Sequence, residues 1–249
     1  MFKTIILSAF GAGLVVAVAL SAVQAVTTEP LLFHAETFEN AEPAVAAAAP
    51  HEHATGEAHT HDAAPAAAEA AAPAHEHDAD EWGPSDGFER SAYTFLANLL
   101  MGVGVSAILL GLMSIRGGSI NARTGVLWGV AGFFAAGLLP SLGLTPELPG
   151  TPAAALEARQ IWWLSTVAAS AIGIALIVFA ESVLLKIAGL VIGVLPHVIG
   201  APVPPSLEAA YPAVMAAEFT SASLVVTALL WALSGICAGW LYQRLSRSA

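Results

Sequence analysis

Long apolar runs separated by short polar segments dominate the pattern of the chain. A run of about 20 apolar residues can cross a bilayer as a helix. Helices are expected because backbone groups in lipid must be satisfied within the segment. Six candidate spans follow one another: Thr4–Val26, roughly Ala92–Ile115, roughly Arg123–Gly143, Ile161–Ala180, Val183–Gly200 and Phe219–Tyr242.

The fifth run is shorter than the others, contains Lys186 and ends near Pro196. The first two runs are separated by a long segment rich in Ala, His and acidic residues, which has too few apolar side chains to bury a core. The pattern therefore predicts an all-α polytopic membrane protein with about six transmembrane helices. We expect a first transmembrane helix over 1–27, a disordered low-complexity loop over 28–90 and a five-helix transmembrane bundle over 91–249.

Composition supports this interpretation and excludes several functions. Hydrophobic residues make up 57% of the 249 residues and charged residues only 11%, whereas a soluble domain carries about 25% charged residues. The sequence has no Gly-x-x-x-x-Gly-Lys-[Ser/Thr] motif for nucleotide phosphates and no His-Glu-x-x-His pattern. Its single cysteine, Cys237, forms no thiolate metal site. We therefore predict that the protein is not an enzyme, has no organic cofactor and does not bind nucleic acid.

Charge is distributed unevenly and predicts an orientation in the membrane. Of the 19 acidic residues, 14 fall between Glu29 and Glu89. This interval contains no Lys or Arg. Cytoplasmic loops carry an excess of Lys and Arg. We therefore predict that both termini are cytoplasmic and that the acidic loops face outward. The residues that set this orientation are Lys3, Arg116, Arg123, Lys186, Arg244 and Arg247.

The first run has a second interpretation as a cleaved signal peptide. Val23-Gln24-Ala25 has small residues at the key positions of a signal-peptidase site, and Lys3 precedes the run. A signal peptide's apolar region is usually about 7–15 residues long, and this run is longer. We therefore expect an uncleaved signal anchor. Cleavage would leave five spans and the same outward loop.

Three Gly-xxx-Gly pairs lie within the predicted spans: Gly125/Gly129, Gly189/Gly193 and Gly235/Gly239. Small residues at this spacing allow helix backbones to approach closely in a membrane. We expect them to serve packing within the chain.

Six of the eight histidines lie between His51 and Asp80 as three His-x-His pairs: His51/His53, His59/His61 and His75/His77. Low-complexity tracts rich in His are typical of metal binding. Residues two apart in an extended segment face the same side, so each pair can offer two imidazoles to one Zn, Cu, Ni, Co or Fe ion. Ordering a flexible loop costs entropy, which predicts weak affinity and fast exchange. The alternative is a solvated linker in which the histidines are incidental.

Further candidates lie where the spans meet the outward loops. His34 follows the first span, and His197 closes the fifth just after Pro196. Glu147 lies between the third and fourth spans, and Glu218 opens the sixth. Ionisable groups at membrane depth are functional candidates, so we predict metal-binding roles for both histidines and both glutamates. For His197 the alternative is a cap on helix carbonyls.

Other polar positions have simpler interpretations. Glu89 with Arg90, and Glu157 with Arg159, are expected to form interfacial ion pairs. Asn98 lies within the second span, where an interhelical hydrogen bond is expected.

Several longer stretches, taken together, resemble the CbtA family of probable cobalt transporter subunits. The resemblance also includes the N-terminal apolar helix and the loop rich in His and Glu, and so covers almost the full length. The stretches are WGPSDGFERSAYTFLANLLMGVG (Trp82–Gly104), GLTPELPG (Gly143–Gly150), ARQIWWLSTV (Ala158–Val167), LPHVIGAP (Leu195–Pro202) and AAEFTSASLVVTALLWALSGICAGWLYQR (Ala216–Arg244).

This resemblance implies a multi-pass protein of the bacterial inner membrane, linked to cobalt uptake for cobalamin synthesis, with the His-rich loop in the periplasm. It further implies a small CbtB-like partner with one span and its own histidine-rich tail. The family is often described with five spans. It supplies no ligand set, so the metal-site residues named above remain inferences from the residues themselves.

The expected function is uptake of a divalent metal ion as cargo, with cobalt implied and nickel or zinc as alternatives. The His-rich loop would capture the ion and pass it to the outward-facing site. The rival is a non-transporting metal sensor or chaperone in the membrane. Few polar residues lie within the spans, which favours the rival: Asn98, Ser106, Ser165, Thr166, Ser223 and Thr227.

Overall fold

A computed structural model describes residues 2–39 and 83–247 of the chain. The described residues form helices joined by turns and short irregular segments, with no strand among them. The helices are α1 (Phe2–Val26), α2 (Thr28–Glu39), α3 (Phe88–Arg116), α4 (Ala122–Ser141), α5 (Leu156–Phe179), α6 (Val183–Ile199) and α7 (Ala213–Ser246).

The predicted helical membrane architecture is confirmed. Within the described residues, five helices are long and apolar enough to cross a membrane: α1, α3, α4, α5 and α7. The fifth predicted run forms α6, which is apolar but only 17 residues long. At 1.5 Å rise per residue such a helix spans about 26 Å, slightly less than a hydrocarbon core of about 30 Å.

The centre of the bundle lies between α1, α3 and α7. The buried face of α1 is made of small residues such as Ala12, together with Val16. Ala12 packs with Leu109 of α3 and Ala238 of α7, and Val16 packs with Val226 of α7, all of them buried. The predicted first span is therefore part of the bundle's core.

Glycines allow the helix backbones to touch, as the Gly-xxx-Gly pairs predicted. A Cβ added to Gly125 of α4 would lie 2.7 Å from the carbonyl carbon of Gly235 in α7. A Cβ on Gly173 of α5 would lie 2.6 Å from the carbonyl oxygen of Gly189 in α6. Gly173 was not singled out in the sequence because it belongs to no Gly-xxx-Gly pair.

Helix α4 contains one π-helical turn, Phe133–Leu138. The N–H of Leu139 donates to the carbonyl oxygen of Phe134, five residues earlier, and Pro140 follows immediately. Such turns occur mostly as single insertions in α-helices. This one packs against α7, since a Cβ on Gly137 would lie 2.9 Å from the methyl group of Thr227.

The first part of the predicted loop is helical rather than irregular. A single turn residue, Thr27, separates the end of α1 at Val26 from the start of α2 at Thr28. The apolar side chains of α2 form a small core in which Ala35 contacts residues from distant loops. Burial of this face explains why Thr28–Glu39 folds although it lies outside a span. Residues 40–82 of the predicted loop, including Trp82 and the six paired histidines, lie outside the described residues, and its last three residues, 88–90, belong to α3.

Candidate functional site

The bundle has two chemically different ends. One end carries α2, residues 83–87, residues 142–155 and residues 200–212; we call it the α2 end. The other carries residues 117–121 and the turn at 180–182; we call it the basic end. Most of the described cationic side chains belong to the basic end, although Glu181 lies there too: Lys3, Arg116, Arg123, Lys186, Arg244 and Arg247.

The α2 end is held together by a cluster that sequence order alone would not suggest. Buried Leu148 and Tyr211, from two different connecting segments, pack with Ala35 of α2 and Phe219 of α7. The hydroxyls of Thr151 and Tyr211 are hydrogen-bonded, and Thr151 Oγ1 also donates to the carbonyl of Leu148 at 2.6 Å. This packing gives the α2 end a defined shape.

Both arginines at this end are paired with carboxylates. Arg90 donates to both carboxylate oxygens of Glu36, one of them at 3.1 Å, and to Asp86 at 3.3 Å. Arg159 donates to Glu147 at 3.3 Å. The expected pairing of Arg90 with Glu89 is wrong, since Glu89 accepts hydrogen bonds from Ser85.

Arg159 likewise pairs with Glu147 and not with Glu157, its expected partner. Residues one or two apart on a helix do not face each other. The glutamates nearest in sequence therefore point away from the two arginines.

His197 lies half-buried in the last turn of α6, and its ring packs edge-on against Trp162 of α5 at a centroid distance of 5.9 Å. The carbonyl of Pro196 accepts from Trp162 Nε1 at 3.3 Å and from the N–H of Gly200 at 3.0 Å. His197 Nε2 is buried and has no hydrogen-bond partner among the described residues. Its ring is therefore held by packing, with an imidazole nitrogen that is not used to cap a helix.

The other predicted ligands are distributed over the same end. His34 is exposed on α2, with its ring 5.2 Å from that of Phe38. Glu147 is engaged by Arg159, and Glu218 is exposed near the start of α7.

These four residues do not form a three-ligand metal site. Within residues 2–39 and 83–247, no three His, Cys, Asp or Glu side chains are grouped so that they could hold an ion. The six other predicted ligands, His51, His53, His59, His61, His75 and His77, lie outside the described residues.

Polar contacts inside the bundle concentrate between α1 and α3. Asn98 is buried and donates to Gln24 Oε1 at 2.6 Å and to Ser21 Oγ at 3.0 Å. The predicted interhelical hydrogen bond of Asn98 is thus confirmed. Gln24 and Ser21, its partners, had not been predicted, although polar residues one turn apart in an apolar helix are a signal for such a contact.

Four serine hydroxyls are also buried in the bundle: Ser8 in α1, Ser106 in α3, Ser170 in α5 and Ser234 in α7. None of them has a hydrogen-bond partner within the part of the chain that the structure describes. Burying a hydroxyl without a partner costs free energy. The bundle therefore contains a few buried hydroxyls whose hydrogen bonds are not satisfied by the described residues.

Comparison with known proteins gives one match. A family model described as "Probable cobalt transporter subunit (CbtA)" matches residues 2–243. No curated protein matches the chain, and no solved structure does. The family match covers nearly the whole chain, from the start of α1 to the last turn of α7.

Proposed function

Because the chain belongs to the CbtA family of probable cobalt transporter subunits, we propose that it serves uptake of divalent cobalt across the bacterial inner membrane. The observation that carries this proposal is the family match over residues 2–243, together with five helices that could span a bilayer. In this proposal the protein has no enzymatic activity and no organic cofactor, and the metal ion is its cargo.

The α2 end would face the periplasm. The collection of Lys and Arg at the basic end supports this orientation, since cytoplasmic loops are enriched in these residues. Both termini would then be cytoplasmic, and the His-rich loop between α2 and α3 would be periplasmic.

The His-rich loop would collect the ion and pass it to ligands at the α2 end. His197 is the strongest single candidate there, because its buried Nε2 has no partner among the described residues and imidazole binds cobalt well. His34, Glu147 and Glu218 lie at the same end. Glu147 would have to exchange Arg159 for the metal ion.

The ion would then cross between helices, with the membrane potential as one source of energy. A potential of about 100 mV is worth about 2.3 kcal/mol per charge, hence about 4.6 kcal/mol for a divalent ion. The word "subunit" in the family description implies partner proteins, and we propose a small single-span, histidine-rich partner of the CbtB type.

We also propose a second, alternative function, because few polar groups lie within the bundle to line a path for an ion. In this alternative the protein binds metal at the membrane as a chaperone or sensor and loads another permease. A change of cargo to nickel or zinc is a variant of the first function.

Uptake of Co²⁺ into sealed vesicles separates the two functions. Vesicles would contain the purified full-length protein alone, with the small partner, or neither, and the internal metal would be measured over time. Uptake with either protein preparation supports transport. Binding of Co²⁺ without uptake in both preparations would exclude transport and support the chaperone.

The role of the loop is tested by changing its six paired histidines to glutamine, which keeps its length and polarity. We expect uptake to fall at scarce Co²⁺ and to change little at high Co²⁺, because the loop raises only the local concentration of the ion. His197→Ala should lower uptake at both concentrations. The proposed order of events is wrong if the loop variant loses uptake at every concentration while His197→Ala transports normally.

A further inference from the structure

The last turns of α7 carry a stripe of exposed side chains whose chemical character changes along the helix. Ile236 is 37% exposed and Trp240 is 50% exposed. The exposed side chains of Arg244 and Arg247 follow on the same face, since residues three and four apart are neighbours on a helix surface. The stripe therefore runs from apolar through aromatic to cationic. We propose that it binds an anionic phospholipid, with the two guanidinium groups holding the phosphate of the headgroup.

The packing of α7 against α4 gives the depth of this stripe in the bundle. A Cβ added to Gly239 would lie 2.7 Å from the carbonyl carbon of Asn121, the N-cap residue of α4. Residues 240–246 of α7 therefore extend about 10 Å beyond the start of α4. Trp240 lies at the level of that start, and Trp is enriched where the hydrocarbon core meets the headgroups. The two arginines then lie at the level of the headgroups themselves.

The polar part of the stripe forms an open pocket at the end of α7. Its volume is about 280 Å³, and it is lined by Trp240, Gln243, Arg244 and Arg247. The guanidinium carbon of Arg244 lies 5.9 Å from the ring centre of Trp240, so this cation is held beside the aromatic ring. Arg247 is exposed and has no ion pair with a described residue. Gln243 adds an amide group that can donate to a phosphate oxygen.

The charges of the lining favour an anionic headgroup over a zwitterionic one. Arginine binds phosphate through two parallel N–H donors, and the pocket offers two arginines. No carboxylate lines the described pocket, so an ethanolamine or choline ammonium would find no partner there. Glu181, the acidic residue described at this end, belongs to the turn between α5 and α6, and neither of these helices packs against α7. A phosphate that carries a neutral glycerol fits this lining best.

The apolar part of the stripe favours a lipid over a soluble phosphate. A soluble anion would use the arginines alone, whereas Ile236 and Trp240 continue the same face towards the hydrocarbon core, where acyl chains lie. Other basic side chains at this end are arranged differently. The guanidinium of Arg116 stacks on the ring of Phe179 at 4.9 Å, and Arg123 lies exposed in the first turn of α4. The end of α7 is therefore the surface that matches a whole lipid molecule.

The test is native mass spectrometry of the purified full-length protein in detergent micelles, titrated with phosphatidylglycerol or with phosphatidylcholine of the same acyl chains. The wild type should bind phosphatidylglycerol more tightly. An arginine near an anionic membrane surface contributes about fivefold to affinity. Arg247→Gln should therefore weaken the tightest phosphatidylglycerol site by about fivefold, and the double variant Arg244→Gln/Arg247→Gln should weaken it further. Arg247→Lys keeps the charge and should lose less than Arg247→Gln.

The matched control is Arg123→Gln, which removes one exposed guanidinium from the same end but outside the pocket. It should leave the site intact. Equal binding of phosphatidylglycerol by the wild type and the double variant would overturn the inference, and so would equal losses in Arg247→Gln and Arg123→Gln. Displacement of the lipid by an equal concentration of glycerol phosphate would assign the site to soluble anions and would also overturn it. The inference does not depend on the proposed function, because lipid binding is measured here without transport.

Discussion

The contact between Gly125 and Gly235 allows a quantitative test of how the bundle is held together. A Cβ on Gly125 would lie 2.7 Å from the carbonyl carbon of Gly235, and a Cβ on Gly235 would lie 2.8 Å from the carbonyl carbon of Gly125. Carbon atoms pack optimally at about 3.5–4.0 Å. An alanine at either position must therefore move α4 and α7 apart by about 1 Å.

A gap of about 0.5–1 Å forfeits a quarter to a half of the dispersion attraction across an interface. Overpacking of this kind costs about 1–3 kcal/mol, and we expect Gly125→Ala and Gly235→Ala each to lower the free energy of unfolding by that amount. The double variant should cost less than the sum of the two, because one separation of the helices relieves both clashes.

The measurement is unfolding by a denaturing detergent in mixed micelles, followed by tryptophan fluorescence. The matched control is Gly104→Ala in α3, where an added Cβ would meet no atom within 4 Å. Replacing this helical glycine should change the free energy of unfolding little, or raise it by up to about 1 kcal/mol. If Gly125→Ala is as stable as Gly104→Ala, the close approach of α4 and α7 is not a determinant of the fold.

Three other predictions concern polar contacts and the first helix. Asn98→Ala should lower the free energy of unfolding by about 1 kcal/mol through loss of its hydrogen bonds to α1, measured in the same titration; no change would show that these bonds contribute nothing. Glu147→Gln should change it by less than about 1 kcal/mol, because its pair with Arg159 is partly exposed; a larger loss in thermal unfolding would contradict this. The purified protein should retain α1, because Val16 and its neighbours are buried in the core; intact mass spectrometry would contradict this if the chain began at Val26.

The membrane architecture was predictable because its signal is long and redundant. Each apolar run extends over many residues, so an error of a few residues at either end leaves the span recognisable. Even so, α7 begins at Ala213, six residues before the predicted start at Phe219. Glu218 interrupts the apolar run there, but Met215 and Phe219 on either side of it pack against Leu148 and Tyr211 from the loops at the α2 end, so the helix begins earlier.

The contacts between distant segments were not predictable in the same way. Arg90 forms an ion pair with Glu36, which lies 54 residues earlier in the sequence. Its neighbour Glu89 instead accepts a hydrogen bond from Ser85. Helix α2 folds because Leu148 and Tyr211 reach it from segments far along the chain. A single sequence shows the chemical type of such residues, but it does not show which distant residues they contact.

The π-helical turn in α4 also has a consequence for how insertions and deletions would be tolerated. A π turn holds one residue more than the α-helical turn it replaces. Deleting one residue from Phe133–Leu138 should therefore restore regular α-helix with little rotation of one half of α4 relative to the other. Gly125 and Gly129 would keep their place against α7, and Pro140 would keep its direction toward the α2 end. The same deletion in a regular part of α4 would rotate the two halves relative to each other by about 100°. The π turn is therefore the point in α4 where homologous chains should differ in length by one residue most readily.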